Sequence, residues 1–263
     1  MQDLKNPYQI LNKRIFITTR ESGSSMELIN TFSNHGARIL EFPMIKTAPE
    51  KISKKDYDIL NDTEKFQWIV FTSANGVKYF FHFLNETGKS HEVFEKIKIA
   101  VIGNKTEKRL NEYSLKADFV SKGLDSRMFA KELKSVFSNS NTRVLFPTGS
   151  LTPDFLENTL QNDAHFTRIN LYNTLQPKSI SKEILNQIEM NNYDIIFFYS
   201  PSAINNFYEL FVNQIIIKNL KAACIGPATE KACNNLGITP IFTAKKPSTE
   251  SLVQATINYY NKT

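Results

Sequence analysis

Chemically reactive residues are scarce in this chain: 263 residues supply two cysteines, one tryptophan and four histidines. Cys224 and Cys233 have neither a CxxC spacing nor a companion histidine cluster, so no disulfide framework and no zinc site is indicated. A reducing compartment fits that usage, and a cytoplasmic protein is expected. The longest apolar runs, such as Ile195-Ile196-Phe197-Phe198-Tyr199, are strand-sized and far short of the ~20 residues that a membrane helix needs. The opening Met1-Gln2-Asp3-Leu4-Lys5-Asn6-Pro7 carries no basic-then-apolar signal, so export is not expected either. There is no G-x-S-x-G elbow, no Walker loop and no H-E-x-x-H, and Gly23, Gly36 and Gly103 do not space as a dinucleotide fingerprint. His35, His82, His91 and His165 stand far apart and read as solvated or structural. No covalent or metal chemistry announces itself.

What is present is ordinary globular material. Hydrophobic residues make up 41% and charged residues 22%, too apolar a balance for a disordered chain. The 32 Lys and Arg exceed the 26 Asp and Glu by enough to leave +6, which favours an anionic partner. That partner is not expected to be nucleic acid. No block of consecutive basic residues occurs, and the phenylalanines and tyrosines sit inside apolar segments rather than on a basic stacking platform.

The chain also repeats itself. Arg14-Ile15-Phe16-Ile17-Thr18 resembles Arg143-Val144-Leu145-Phe146-Pro147 at an offset of 129 residues. Ile69-Val70-Phe71-Thr72-Ser73-Ala74-Asn75 resembles Ile196-Phe197-Phe198-Tyr199-Ser200-Pro201-Ser202 at 127, and Ala100-Val101-Ile102-Gly103 resembles Ala223-Cys224-Ile225-Gly226 at 123. Similar offsets in one order point to a duplicated unit. Each copy reads as a buried strand, a turn of small polar residues and a helix, which predicts a parallel-sheet α/β fold, flavodoxin-like in each half. Thr152-Pro153 and Ser200-Pro201 each predict a helix start with a hydroxyl cap before proline, and Gly36 and Gly237 predict helix ends. Proline-bearing connectors at Phe42-Pro43-Met44-Ile45 and near Gln176-Pro177 are candidate domain crossings. A plain duplication would instead divide the chain near residue 142, and periodicity leaves both arrangements open.

Ligands of open α/β sheets sit beyond the carboxyl ends of the strands, where backbone N–H groups and helix N-termini point outward. Six such corners occur, around Thr18-Thr19-Arg20, Thr72-Ser73, Gly103-Asn104-Lys105-Thr106, Thr148-Gly149-Ser150, Ser200-Pro201-Ser202 and Gly226-Pro227-Ala228-Thr229. Any one hydroxyl could serve only its own helix. Taken as a set, the corners suit carboxylate or phosphate, and two facing halves would aim them into one cleft.

With those corners in order, the chain resembles the uroporphyrinogen-III synthase family nearly from end to end. The resemblance is carried by Phe71-Thr72-Ser73-Ala74-Asn75-Gly76-Val77, Val101-Ile102-Gly103-Asn104-Lys105-Thr106, Leu145-Phe146-Pro147-Thr148-Gly149, Leu171-Tyr172-Asn173-Thr174, Phe198-Tyr199-Ser200-Pro201-Ser202-Ala203 and Cys224-Ile225-Gly226-Pro227-Ala228-Thr229. It implies two flavodoxin-like domains joined by a two-stranded linker, one of residues 1–42 with 178–263 and one of 46–170, with linkers at 43–45 and 171–177. It further implies a cofactor-independent lyase that closes hydroxymethylbilane, a linear tetrapyrrole with eight carboxylates, while losing water and inverting the last ring. Since that substrate also cyclises unaided to the uninverted isomer, the family's task is chiefly geometric.

Carried over residue by residue, the resemblance makes Tyr172 the proton donor to the leaving hydroxyl, although a phenol with a pKa near ~10 is a weak acid. The competing role is a linker tyrosine packed between domains. Thr72, Ser73, Thr106, Ser200, Ser202 and Thr229 would bind acetate and propionate arms, with Arg20 and Lys221 adding charge near the same mouth; the alternative for both is a solvated surface charge, the more so for Lys221, which opens a strand. Two departures stand out. Many members have a basic residue where this chain has Thr148, and a smaller or apolar residue is common at Tyr199. A monomer is expected, with no membrane partner and with transient contact to neighbouring pathway enzymes. The alternatives are a non-catalytic tetrapyrrole-binding or sensing module of the same fold, and a two-domain solute-binding protein, against which the missing export signal argues.

Overall fold

A computed structural model describes residues 10–89, 91–121, 125–137, 141–177, 180–211 and 215–262, and the opening Met1–Pro7 lies outside them. By packing density the chain divides into two units, one of Met1–Lys46 with Leu175–Thr263 and one of Thr47–Thr174. No helix among the described residues is long and apolar enough to cross a membrane.

The first unit opens with β1 (Ile15–Thr18), α1 (Met26–Asn34) and β2 (Arg38–Glu41). The chain then runs through β3 (Lys46–Pro49), α2 (Lys54–Asn61), β4 (Trp68–Phe71), α3 (Ala74–Glu86), β5 (Lys98–Ile102), α4 (Asn104–Asn111) and β6 (Phe119–Ser121). It continues with α5 (Ser126–Val136), β7 (Arg143–Gly149), α6 (Phe155–Leu160) and β8 (His165–Leu175). The return to the first unit adds α7 (Lys182–Glu189), β9 (Ile195–Phe198), α8 (Pro201–Phe211), β10 (Ala222–Cys224), α9 (Pro227–Asn235), β11 (Phe242–Thr243) and α10 (Thr249–Tyr260).

In the first unit the sheet order is β2-β1-β9-β10-β11 and all pairings are parallel, which is the flavodoxin-like order 2-1-3-4-5. In the second, β8-β7-β4-β5-β6 are parallel neighbours in that same spatial order, and β3 is added beside β8. After the edge strand β3, the chain enters these five parallel strands at the central β4 and fills the β7 and β8 places last. The repeat seen in the sequence is thus a repeat of strand positions, with β7, β4 and β5 matching β1, β9 and β10.

Continuous apolar runs form the central strands because helices cover both faces. Every residue of β4 and of β9 is buried. Alternate side chains feed opposite layers. Ile69 and Phe71 pack with Val77, Phe80 and Leu84 of α3, while Trp68 and Val70 pack with Phe129 and Leu133 of α5. In the first unit, Ile196 and Phe198 pack with Ile204 and Phe207 of α8, and Ile195 and Phe197 with Leu28 and Phe32 of α1. Cys224 and Cys233 are free thiols in that core, their sulfurs 3.4 Å apart.

Gly36 and Gly237 adopt φ of +81° and +74°, and Ser200 caps α8 by accepting from Ala203 N at 3.1 Å. One expected helix start is displaced. Thr152-Pro153 does not open α6, which begins at Phe155, because the Arg168 guanidinium donates to the carbonyls of Thr152 and Pro153 at 3.0 and 3.1 Å and occupies the oxygens a first turn would use.

Candidate functional site

In the second unit the site is built around Tyr172. β7 and β8 run in register until Thr148 pairs with Asn170, and then one residue is skipped so that Gly149 faces Tyr172. This bulge re-aims the tyrosine, as bulges at strand ends do. The missing side chain at Gly149 makes room for the ring: a Cβ there would lie 2.6 Å from Tyr172 Cζ. The other face of the ring stacks on Tyr79, with centroids 5.1 Å apart and planes 20° from parallel. Tyr172 is therefore 8% exposed and sits inside β8. Its hydroxyl lies 3.1 Å from Ser73 Oγ, and Ser73 in turn caps α3 by accepting from Gly76 N at 2.9 Å. The phenol thus ends in a hydroxyl relay at the positive end of a helix, a setting that favours developing negative charge on oxygen. Thr72 is half-buried beside Ser73, and Thr106 is a buried residue in the first turn of α4, at the neighbouring corner.

In the first unit, Arg20 follows β1, Ser200 and Ser202 lie at the start of α8, and Thr229 is buried in the first turn of α9, all at the carboxyl edge of the sheet. Arg20 is itself buried. It stacks on Tyr199, its guanidinium carbon 4.1 Å from the ring centroid, and Nη2 donates to Thr249 Oγ1 at 3.1 Å. Burial raises the Tyr199 pKa to about 12; the charge of Arg20 works against that rise, as does the Thr18 hydroxyl, which does not reach hydrogen-bond geometry.

Lys221 does not join this edge. It immediately precedes β10 and so lies at the amino ends of the strands, where its ammonium donates to Tyr193 O and sits 4.4 Å from the Tyr193 ring centroid. Burial lowers its pKa, with Asp194 opposing. In a parallel sheet the residue that opens a strand points away from the ligand edge, which corrects its expected place near the mouth.

The structure therefore brings Ser73 and Tyr172 together, places Arg20, Ser200, Ser202 and Thr229 along one edge of the first unit, and removes Lys221. Tyr79 and Thr249 were not singled out from the sequence, and Gly149 was named there only within the Thr148-Gly149-Ser150 corner. Gly149 carried a usable signal, a glycine directly after a threonine at a strand end.

The chain is similar to known proteins along most of its length. A family model described as uroporphyrinogen-III synthase HemD matches residues 26–254. The porphyrin biosynthesis protein HemD of Ruminiclostridium josui is 29% identical over 238 residues, covering 90% of this chain and 47% of that protein, so the chain spans about half the length of this relative. The uroporphyrinogen-III synthase of Synechococcus elongatus is 25% identical over 240 residues, 87% of this chain and 88% of that one. Among solved structures, a mutant uroporphyrinogen III synthase of Thermus thermophilus matches with a TM-score of 0.62 and 16% identity over 95% of this chain and all (100%) of that one. The Helicobacter pylori synthetase gives 0.61 and 18% over 93% and 99%. At such identities these structures establish the fold alone.

Proposed function

Because the chain belongs to the uroporphyrinogen-III synthase family, we propose that it closes hydroxymethylbilane into uroporphyrinogen III with inversion of the last pyrrole ring, acting as a cofactor-independent hydro-lyase. The observation that carries this reading is the Tyr172 hydroxyl held 3.1 Å from Ser73 Oγ at the cap of α3. In the proposed reaction Tyr172 gives its proton to the substrate hydroxyl, which leaves as water and creates a conjugated azafulvene cation on the first ring. The substituted carbon of the last ring attacks that cation to form a spiro intermediate. The bond from the spiro carbon to the bridge carbon of the third ring then breaks, leaving the cation on that ring, and the free α-carbon of the inverted last ring attacks it and releases its hydrogen as the proton that restores Tyr172. Ser73, aligned by the Gly76 amide, steadies the phenolate oxygen while the proton is away.

Thr72, Ser73 and Thr106 of one unit, and Arg20, Ser200, Ser202 and Thr229 of the other, are proposed to bind carboxylate arms with the adjacent backbone N–H groups. Holding the arms is most of the task, since the uncatalysed ring closure already occurs and only its geometry must change. The same proposal takes the organisation as two domains, 1–42 with 178–263 and 46–170, in a cytoplasmic monomer that meets neighbouring pathway enzymes transiently.

The test is isomer analysis of the product formed from hydroxymethylbilane by the purified chain without added metal or cofactor. Uroporphyrinogen III is the expected product. Formation of the symmetric, uninverted isomer alone, at the same rate with and without protein, would overturn catalysis and leave a tetrapyrrole-binding module.

A further inference from the structure

Two arginines bracket β1, and each lies over a tyrosine. Arg14, at the amino end, stands 3.9 Å from the Tyr260 ring centroid and pairs with Asp194 Oδ1 at 2.7 Å. Arg20, past the carboxyl end, stacks on Tyr199 in the same manner but pairs with no carboxylate among the described residues. The ordering is the reverse of what desolvation demands. The side chain of Arg14 is 41% exposed and compensated, whereas Arg20 is 7% exposed and uncompensated.

The surroundings of Arg20 sharpen the imbalance. Its Nη2 reaches Thr249 Oγ1 at 3.1 Å and its Nη1 reaches Ser24 O at 3.5 Å, which sets the guanidinium at the N-termini of both α10 and α1. Helix N-termini carry partial positive charge, so the fold adds like charge to a buried cation. Glu27, in the first turn of α1, is exposed and makes no ion pair with Arg20 among the described residues. Two hydroxyls here are also unsatisfied. Ser25 is fully buried at the head of α1 and makes no cap bond, and among the described residues neither its Oγ nor the buried Tyr199 hydroxyl has a hydrogen-bond partner. A guanidinium with donors to spare, two free hydroxyls and two helix N-termini all lack the same thing, an oxyanion.

We propose that Arg20, Tyr199 and Ser25 form a binding site for a single carboxylate, with Tyr199 and Thr249 holding the guanidinium in place. Its occupant is one arm of the tetrapyrrole. That identity rests on the proposed function, whereas the site itself does not.

Two probes separate those statements. The first is thermal unfolding in sodium propionate against sodium chloride at matched ionic strength. The wild-type Tm should rise with propionate beyond the chloride control, as it does for any ligand of the folded state, and Arg20→Met should show no such rise. The second is fluorescence titration with uroporphyrin III, which carries the same eight carboxylates. Arg20→Met should weaken binding roughly 10–100-fold, the loss expected for hydrogen bonds to a charged group, and Tyr199→Phe, which keeps the ring under Arg20, roughly 2–10-fold. Arg20→Lys should fall between wild type and Arg20→Met, since it keeps the charge and loses the fork. An Arg20→Met protein that responds to propionate and binds uroporphyrin as wild type does would overturn the site. Loss of the propionate response with unchanged uroporphyrin affinity would refute the tetrapyrrole arm as its occupant. A wild-type propionate response with no uroporphyrin binding by either protein would keep the site and remove the proposed function.

Discussion

The two sheets share one strand order, yet their carboxyl edges place tyrosine in opposite company. In the second unit, Tyr172 lies between Tyr79 and Gly149 and its hydroxyl meets the Ser73 hydroxyl. In the first, Tyr199 lies beneath a guanidinium and its hydroxyl meets nothing. One edge sets its phenol against a neutral hydroxyl and the other sets its phenol under a cation. A duplicated scaffold therefore fixes where the corners are, while the residue just past each strand decides what the corner does.

The largest expected effect breaks the comparison at Tyr172. Tyr172→Phe keeps the stacked ring and deletes the hydroxyl, so turnover should drop by roughly 10²–10⁴-fold, the range of a lost proton donor, with product affinity nearly unchanged. Steady-state kinetics beside a product titration would check this. Wild-type turnover in that variant would make Tyr172 a packing residue.

On the other side of the comparison, Tyr199 can be read through pH. Burial raises its pKa from the ordinary 10.0 to about 12, so the unfolded chain loses the proton first as pH climbs past 10. Stability should therefore be intact below pH ~10 and fall between ~10 and ~12, by about 2–3 kcal/mol for this group. Denaturant melts across that window should show a shallower decline for Tyr199→Phe. Part of the decline should persist, because burial also raises the Tyr260 pKa.

Gly149→Ala would force a Cβ to within 2.6 Å of Tyr172 Cζ. Overpacking of this kind should cost about 1–3 kcal/mol, and Tyr172→Ala in the same chain should recover much of it. Additive losses in that double-mutant cycle would show that the ring is not held as described.

The smallest effect sharpens the comparison between the two caps. Ser73→Ala and Ser200→Ala each remove a helix-capping acceptor, with N···O distances of 2.9 and 3.1 Å, and should cost about 1 kcal/mol apiece. Only Ser73→Ala also removes the hydroxyl beside Tyr172, so only it should alter the pH profile of turnover.

Much of the architecture was legible because it rests on composition along short stretches. The runs Trp68–Phe71 and Ile195–Phe198 are apolar throughout, as only a strand covered on both faces can be, and Ser73 and Ser200 announce their helices locally. What stayed hidden depends on partners distant in the chain. The bulge that turns Tyr172 toward Gly149 is a slip in the pairing of two strands, and the glycine at the end of β7 marks only one side of it. The delayed start of α6 is set by Arg168, beyond that helix. Lys221 misled because proximity to a strand says little until the strand's direction is applied: one residue before β10 is the far edge of the sheet. Tyr199 stood out as an unusual residue, but its stacking under Arg20 joins positions 179 residues apart and required the fold.

The pairing of β1 with β9 also sets a schedule for the nascent chain. Phe16, Ile17 and Thr18 lie beside Ile195, Ile196 and Phe197, and all of Thr47–Thr174 is made in between. At about 5–20 residues per second, a ribosome needs on the order of ten seconds or more to deliver that partner strand. Until then one edge of β1 stays open, while the strands of the second sheet have already emerged and can pair among themselves. Synthesis thus completes the inner sheet first, and the earliest strand to emerge is among the last to be enclosed.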